Sequence, residues 1–292
     1  MKNRFVALLL IPVLMLVYTG CGRKEPLTET TTATSDNPSE LNSTVPWTTT
    51  TRPVGIIDSN AVGVSIERLD FSIKNEYGKV LGIVFFDLPQ MTSKSKAAKK
   101  INDFLMSEQE QWRNNSRKFV PDQRDMRAWL EEKVAFMREA FSEESLLQSP
   151  LEYSVTADII YQDSEFLSIK LDMHWFAGGS LALNYYGYTF SKKTGDLLPF
   201  TVFADVEANA FKEDLLGYLT QKSSGWWKIG DYLGPNTNHD FTYAHEDRGK
   251  SDLSYEYYYD GTEVCLLLNG WQRYPVICKW NGKTGNDFSA TL

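Results

Sequence analysis

Apolar and polar residues alternate strictly through the middle of the chain. Leu167, Ile169, Leu171 and Met173 alternate with Ser168, Lys170, Asp172 and His174. A period of two is typical of a strand with one buried face. The segment Ala177–Ser180 interrupts the pattern, and an aromatic-rich stretch follows at 181–190. We predict two strands joined by a tight turn at Gly178 and Gly179, where glycine permits a positive φ.

Two upstream segments carry apolar residues at helical spacing. The first stripe is Ala97, Ile101, Phe104, Leu105 and Trp112, and the second is Met126, Trp129, Leu130, Val134, Met137 and Phe141. Such stripes are typical of helices that bury one face. A groove for a partner would show the same spacing, but we interpret both stripes as core-facing. Strands are predicted before these helices at 62–73 and 79–88, and after them at 153–161.

The remaining chain predicts a further helix from Phe203 to about Lys222 and strands at 254–259, 263–268 and 273–280. The whole pattern favours an α+β protein in which antiparallel sheets pack with amphipathic helices. We expect two interlocked modules, an N-terminal one at 60–190 and a C-terminal one at 191–292. The hairpin-type turn at Thr194 and Gly195 is expected to join them.

The first 59 residues have a different character. A charged start with Lys2 and Arg4 precedes the apolar run Phe5–Val17, which is short for a bilayer span of about 20 residues. Gly20 then precedes a lone Cys21, an arrangement that resembles a bacterial lipoprotein signal. We expect a signal peptide at 1–20, lipidation of Cys21, and anchoring on the extracellular face of the cytoplasmic membrane. An ordinary signal peptide cleaved elsewhere is the alternative. The Thr- and Pro-rich segment 21–59 is predicted to be a disordered tether.

The charge and composition of the chain limit the classes of partner that it could bind. The formal net charge is −8 and the sequence pI is about 5.1. Nucleic-acid binding needs clustered cations, so we exclude it. Aromatic residues make up 13% of the chain, which favours large sheet faces or aromatic-lined surfaces.

The central stretch is more specific as a whole than any motif in it. The alternating strand, the Gly178–Gly179 break and the segment KTGDLLPFTVF, with Leu88–Gln90 upstream followed by Ala97, Ile101 and Asn102, resemble the extracellular domains of RsiV-type anti-sigma factors and PdaC-type peptidoglycan deacetylases. The resemblance covers roughly residues 62–268. Ser180 and Leu181 stand where that family usually has Ala-His, so a family role that needs the histidine is not carried over.

With Cys21 lipidated, Cys265 and Cys278 remain as a pair in an oxidising setting. A four-residue loop at 270–273 would place them directly opposite on neighbouring strands, and we predict a disulfide. A two-residue turn at Asn269 and Gly270 would spoil that register and leave two free thiols.

No catalytic constellation stands out. His174 lies on the polar side of its strand, and the spacing of His239 and His245 fits neither a zincin nor a zinc finger. We therefore predict no enzyme activity, metal or cofactor. Carboxylate pairs for glycoside hydrolysis depend on three-dimensional separation, so a cell-wall-modifying enzyme with an unrecognised carboxylate site stays as the alternative.

The resemblance implies a surface receptor or a wall-associated module. We expect a non-catalytic binding module for peptidoglycan or for a cationic protein such as lysozyme, which the negative charge would attract. Candidate residues for stacking on a ligand are Trp226, Trp227, Tyr257 and Trp271. Core packing is the other interpretation of these aromatic side chains.

Overall fold

Within the described residues, six strands form the larger of two sheets. The structure is a computed structural model that describes residues 48–52, 63–114, 125–179, 181–203, 214–215, 217–219, 221–222, 256–269, 275–280 and 288–291. The large sheet runs in chain order: β1 (Thr48–Arg52), β2 (Val64–Lys74), β3 (Val80–Met91), β4 (Leu151–Gln162), β5 (Phe166–Phe176) and β6 (Leu181–Ser191). Strands β3 and β4 pair in parallel, and the other neighbours are antiparallel. The predicted α+β class is confirmed.

The helices lie in the crossover between β3 and β4, which a parallel pair requires. They are α1 (Lys96–Arg113), α2 (Met126–Ala140) and α3 (Glu143–Gln148). The Ser95 hydroxyl accepts the Ala98 N–H of α1 at 3.1 Å, and the Asp125 carboxylate accepts the Ala128 N–H of α2 at 2.7 Å. These caps satisfy N–H groups that have no partner inside the first helical turn.

Both predicted helical stripes face the large sheet. Their buried members Ile101, Leu105, Trp112, Trp129, Leu130 and Val134 share one core with Val84, Phe86, Tyr153, Val155, Ile169 and Tyr188. The prediction is wrong for Phe141, which is 67% exposed. Helix α2 ends at Ala140, so the side chain of Phe141 no longer follows the buried stripe.

Among the described residues, the structure contains no helix of the length and apolar character that a bilayer crossing demands.

The turn between β5 and β6 is formed as predicted. Phe176 pairs with Leu181, and the described residues Ala177–Gly179 between these strands lie outside the ladder. Gly178 and Gly179 have φ angles of 65° and 106°. These left-handed values favour glycine, and they explain why two glycines stand here.

A smaller sheet packs on one end of the large one. Its strands lie in the order β10 (Phe288–Thr291), β9 (Val276–Trp280), β8 (Val264–Leu268) and β7 (Tyr257–Tyr259). One face packs on Phe200, Leu215 and Leu219, while Tyr258, Cys265 and Leu267 on the other face contact Ile160 and Tyr185 of the large sheet. Both sheets belong to one compact unit, Val45–Leu292.

Side chains of the C-terminal region cap the outer edge of β6. Asn269 accepts the Tyr185 N–H at 2.7 Å and donates to the Tyr185 carbonyl at 2.9 Å. The Glu256 carboxylate accepts the Gly187 N–H at 3.2 Å. These groups take the place of a further strand, and so they protect an edge that would otherwise present unpaired backbone groups.

Strand β1 corrects the predicted extent of the disordered tether. Thr48–Arg52 lies inside the segment 21–59 but pairs antiparallel with β2, Thr50 opposite Arg68. Threonine is β-branched and favours strands, and the edge of β2 supplies the backbone partners. The rest of the predicted tether and the predicted signal peptide lie outside the described residues.

Candidate functional site: the polar face of the large sheet

Polar side chains cover the face of the large sheet opposite the helices. We call the following set the polar face: Arg68, Asp70, Phe85, Asp87, Glu152, Ser154, Thr156, Asp158, Lys170, Asp172, His174 and Tyr185. Of the described elements, the small sheet packs against one end of it, near Ile160. At the other end the side chains of Glu152 and His174 are 33% and 34% exposed.

Strand pairing arranges the polar face in rows. Between β4 and β5, Asp158 lies opposite Lys170, Thr156 opposite Asp172, and Ser154 opposite His174. Side chains opposite each other on antiparallel strands lie close enough to interact directly. The register therefore brings charges together that are far apart in sequence.

Strands β2 and β3 contribute an ion pair with a buried carboxylate. The side chain of Asp87 is 0% exposed and accepts from Arg68 Nε at 2.7 Å and Nη2 at 3.1 Å. It also accepts the Ala157 N–H at 3.2 Å, where the parallel pairing of β3 with β4 ends. The Arg68 guanidinium lies 4.1 Å from the centroid of the Phe85 ring. Because Arg68 makes both of these hydrogen bonds to Asp87, its positive charge is largely neutralised by the Asp87 carboxylate.

Glu152 is the centre of a second cluster. Its Oε1 accepts the Ser154 hydroxyl at 2.6 Å and lies 3.1 Å from His174 Nδ1. The hydrogen bond with His174, followed by the one from Ser154, lowers the pKa of Glu152 against the opposing effect of burial. Glu152 is therefore a carboxylate at neutral pH, with one oxygen anchored.

Lys170 lies between two carboxylates nearer the small sheet. Its Nζ is 3.1 Å from Asp172 Oδ2 and 3.8 Å from Asp158 Oδ2, and it lies 4.9 Å from the Tyr185 ring centroid. Burial raises the pKa of Asp172, an effect that Lys170 opposes. One cation thus faces two acids, and the polar face keeps an acidic surplus.

Among the described residues of the polar face, the contacts of Ser154, His174 and Glu152 do not follow the order of a serine triad. A serine triad has the hydroxyl on the imidazole and the imidazole on the acid. Here the hydroxyl of Ser154 bonds to the carboxylate of Glu152 instead of to His174. Among the described residues, no group of three or more His, Cys, Asp or Glu side chains is placed to hold a metal ion. The polar face is built to present charge and hydrogen-bonding groups.

The structure corrects the predicted disulfide. Both thiols are free and buried. Cys278 pairs with Leu266 and Cys265 with Lys279, so the register differs by one residue from the predicted one. A shift of one residue moves a side chain to the opposite face of a sheet. Cys265 therefore packs towards the large sheet and Cys278 towards the opposite core, and burial raises the pKa of each thiol to about 12.

Of the four aromatic residues predicted to stack on a ligand, the structure describes Tyr257. Tyr257 is 5% exposed, its hydroxyl donates to the Leu198 carbonyl, and its ring lies 6.1 Å from that of Phe200. A buried ring is not available for stacking on a glycan, which corrects the prediction for Tyr257. The other candidates Trp226, Trp227 and Trp271, together with Cys21, His239 and His245, lie outside the described residues.

Sequence reasoning located His174 on a polar strand face but missed its partners. Glu152 and Ser154 are twenty or more positions away in the chain, and the pairing of β4 with β5 brings them to His174. The alternation of polar residues along 152–158 was the available signal. It indicates that these residues share a polar face, but it does not give the register that brings Glu152 and Ser154 to His174.

Comparisons with known proteins place the chain only coarsely. No protein-family model matches it, and no curated protein matches it in sequence. A crystal structure of a DUF3298 family member from Bacteroides fragilis NCTC 9343 has a TM-score of 0.46 and 9% identity, covering 75% of this chain and 89% of that one. A DUF3298 family protein from Pseudomonas aeruginosa PAO1 has a TM-score of 0.34 and 11% identity, covering 61% and 68%. DUF3298 is the family to which the RsiV and PdaC extracellular domains belong. At TM-scores this low, neither likeness assigns a function to this chain.

Proposed function

We propose that this chain is a cell-surface lipoprotein whose folded part is a non-catalytic binding module for a cationic ligand. The polar face is the proposed docking surface, and a cationic protein such as a lysozyme is the proposed ligand class. The observation that carries the proposal is the acidic surplus of this face. Besides Asp87, the polar face carries four carboxylates, at Asp70, Glu152, Asp158 and Asp172. Of the two cations in the polar face, Arg68 is bound to Asp87, which leaves Lys170 to face these four acids.

The strand positions of the acids on the polar face and the net charge of the chain both support a binding role. The acids lie on rigid strands, so their positions are fixed before a ligand arrives and little ordering entropy is lost on binding. The net charge of −8 adds long-range attraction for a cation. The apolar run 5–17 followed by Cys21 supports the lipid anchor, which would hold this face near the cell surface.

The proposal is tested by measuring binding of a cationic lysozyme and of purified peptidoglycan to the full chain in detergent. The polar-face double variant Glu152→Gln/Asp158→Asn is compared with Glu139→Gln/Glu144→Gln, which removes the same charge from α2 and α3. Loss of two exposed ion pairs, each worth up to about 1 kcal/mol, predicts a roughly tenfold weaker affinity for lysozyme in the first variant only. Added salt should weaken binding of the wild type most.

Three outcomes contradict the proposal. Absence of binding to lysozyme removes the ligand class, and equal weakening by both double variants removes the polar face as the docking surface. Repeated release or deacetylation of peptidoglycan fragments by the pure chain would replace the binding role with the wall-modifying alternative. The Glu152–His174 contact is the observation that favours this alternative, because a carboxylate-oriented imidazole is a common proton acceptor in enzymes.

A further inference from the structure

We infer that β1 docks reversibly on the outer edge of β2, the edge that faces away from β3, and that its release lengthens the chain between the lipid anchor and the folded body. The inference rests on the proposed function for the anchor at Cys21, to which it adds a conformational switch. Docking itself is a property of the described strands, so it can be measured without a ligand or a membrane.

Strand β1 lies at the edge of the large sheet, and among the described strands it pairs with β2. Each of its five residues, Thr48–Arg52, lies opposite a residue of the segment 66–70. Strand β2 is longer, Val64–Lys74, and pairs along its whole length with β3 on the other side. The position of β2 in the sheet therefore does not depend on β1.

The composition of β1 favours weak docking. Its sequence consists of four threonines and one arginine, residue types that are mostly exposed in folded proteins. Strand β2, by contrast, places Val64 and Phe71 in the main core. Ladder hydrogen bonds contribute modestly because they replace bonds to water, and ordering each residue costs conformational entropy. The docked and released states of β1 should therefore be closer in free energy than the folded and unfolded states of the sheet.

Release of β1 changes the distance that the chain can span between the anchor and the sheet. When β1 is docked, the segment that starts at Cys21 meets the sheet at Thr48. When β1 is released, this segment continues to Val64, where β2 begins. The sixteen residues 48–63 are added to it, and they span at most about 55 Å when fully extended. A pull on the anchor acts on β1 before it acts on β2, so β1 should release before the sheet unfolds.

The first test is amide hydrogen exchange of the full chain in detergent, measured by mass spectrometry. Amides of β1 should exchange at least about a hundredfold faster than those of β5, and at least about tenfold slower than those of an unstructured chain. Exchange of β1 at the rate of β5 would show that β1 opens only when the whole sheet unfolds. Exchange at the unstructured rate would show that β1 does not dock. Either result would overturn the inference.

The double variant Thr49→Pro/Thr50→Pro should abolish docking. Neighbouring N–H groups of a strand point to opposite sides, so one of the two prolines removes an N–H group that faces β2. We expect the amides at 66–70 that face β1 to exchange at least about tenfold faster, while β5 is unchanged. Thr31→Pro/Thr32→Pro, in the predicted tether, is the matched control and should exchange like the wild type. Unchanged exchange at 66–70 in the first variant would contradict docking on this edge.

The double variant Thr51→Cys/Glu67→Cys should hold β1 in place, because these two residues lie opposite each other. After oxidation with oxidised glutathione, β1 should exchange at least about tenfold more slowly than in the reduced protein. Thr51→Cys/Asp70→Cys is the control, since Asp70 lies opposite Thr48 and the introduced thiols are too far apart to bridge. Failure of the first pair to form a disulfide, or equal exchange before and after oxidation, would overturn the inference.

These readouts do not use lysozyme. Absence of lysozyme binding would therefore overturn the proposed function and leave the exchange rates of β1 as they are. Exchange of β1 at the rate of β5 would overturn this inference and leave the binding role untouched.

Discussion

The two faces of the large sheet are made by alternate residues of the same strands, yet they differ in almost every physical property. On the helix side, Ile169 and Tyr153 are 0% and 1% exposed and belong to one continuous apolar core. On the polar face, Lys170 and Glu152 are the immediate chain neighbours of these residues and keep charged groups within reach of solvent.

This difference separates the source of stability from the proposed source of function. Burial of apolar side chains under α1 and α2 stabilises the fold by roughly 25 cal/mol for each Å² removed from water. Ion pairs that are partly exposed contribute about 0–1 kcal/mol each. Substitutions on the helix side should therefore change stability, and substitutions on the polar face should change binding.

The sharpest test of this division compares one residue from each face of the large sheet, on adjacent strands. Ile169→Ala should lower the free energy of unfolding by about 3 kcal/mol, because it leaves a cavity in a fully buried site. Asp158 lies on the polar face of the adjacent strand, opposite Lys170, and Asp158→Asn should change the free energy of unfolding by less than about 0.5 kcal/mol. Guanidinium-induced unfolding of both variants measures the difference. Similar losses in the two variants would show that the polar face also carries stability.

A second test concerns the end of the polar face that the small sheet covers. A Cβ added at Gly187 would lie 2.1 Å from the Tyr257 carbonyl oxygen, so Gly187→Ala must push β7 away from β6. We expect a loss of about 2 kcal/mol, typical of overpacking. Gly217→Ala is the control, because no atom of the described residues lies within 4 Å of its added Cβ. Gly217 has helical backbone conformation, so that change should be neutral or stabilise by about 0.5–1 kcal/mol. Equal stability of the two variants in urea unfolding would contradict the close approach of the sheets.

Local patterns predicted much of the fold. The alternation along 167–173 gave β5, and the Gly178–Gly179 pair gave the turn into β6, since both signals are contained within a few residues. The tether boundary was misplaced because β1 forms only when the edge of β2 is present. The predicted disulfide was wrong because the register of β8 and β9 differs by one residue from the expected one, which places the two thiols on opposite faces of the small sheet.

The candidate site was less predictable than the fold. Its groups come from several strands, and the partners of His174 are chosen by the β4–β5 register. Likewise, nothing near Asp87 in sequence indicates that Arg68 would bind it from a neighbouring strand. Periodicity reveals which residues share a face but not which lie side by side, and a site depends on the latter.

The smallest expected effect concerns the contribution of Glu152 to stability. Its pKa is lowered in the folded chain, mainly by the hydrogen bond with His174. A lowered carboxyl pKa contributes stability above the unfolded value of about 4.3, and the contribution is lost as the pH falls through the folded value. Glu152→Gln should therefore be less stable than the wild type by about 0.5 kcal/mol near pH 6, and the gap should close as the pH falls through the lowered pKa of Glu152.

Urea unfolding of the two proteins across this pH range measures the gap. A difference that stays constant with pH would mean that Glu152 acts through its shape instead of its charge. A gap above about 2 kcal/mol would exceed what a partly exposed pair contributes and would make the polar face a structural element. A small gap that closes at acidic pH, together with the large loss in Ile169→Ala, would leave the polar face as a charged surface supported by a core on the other side of the same strands.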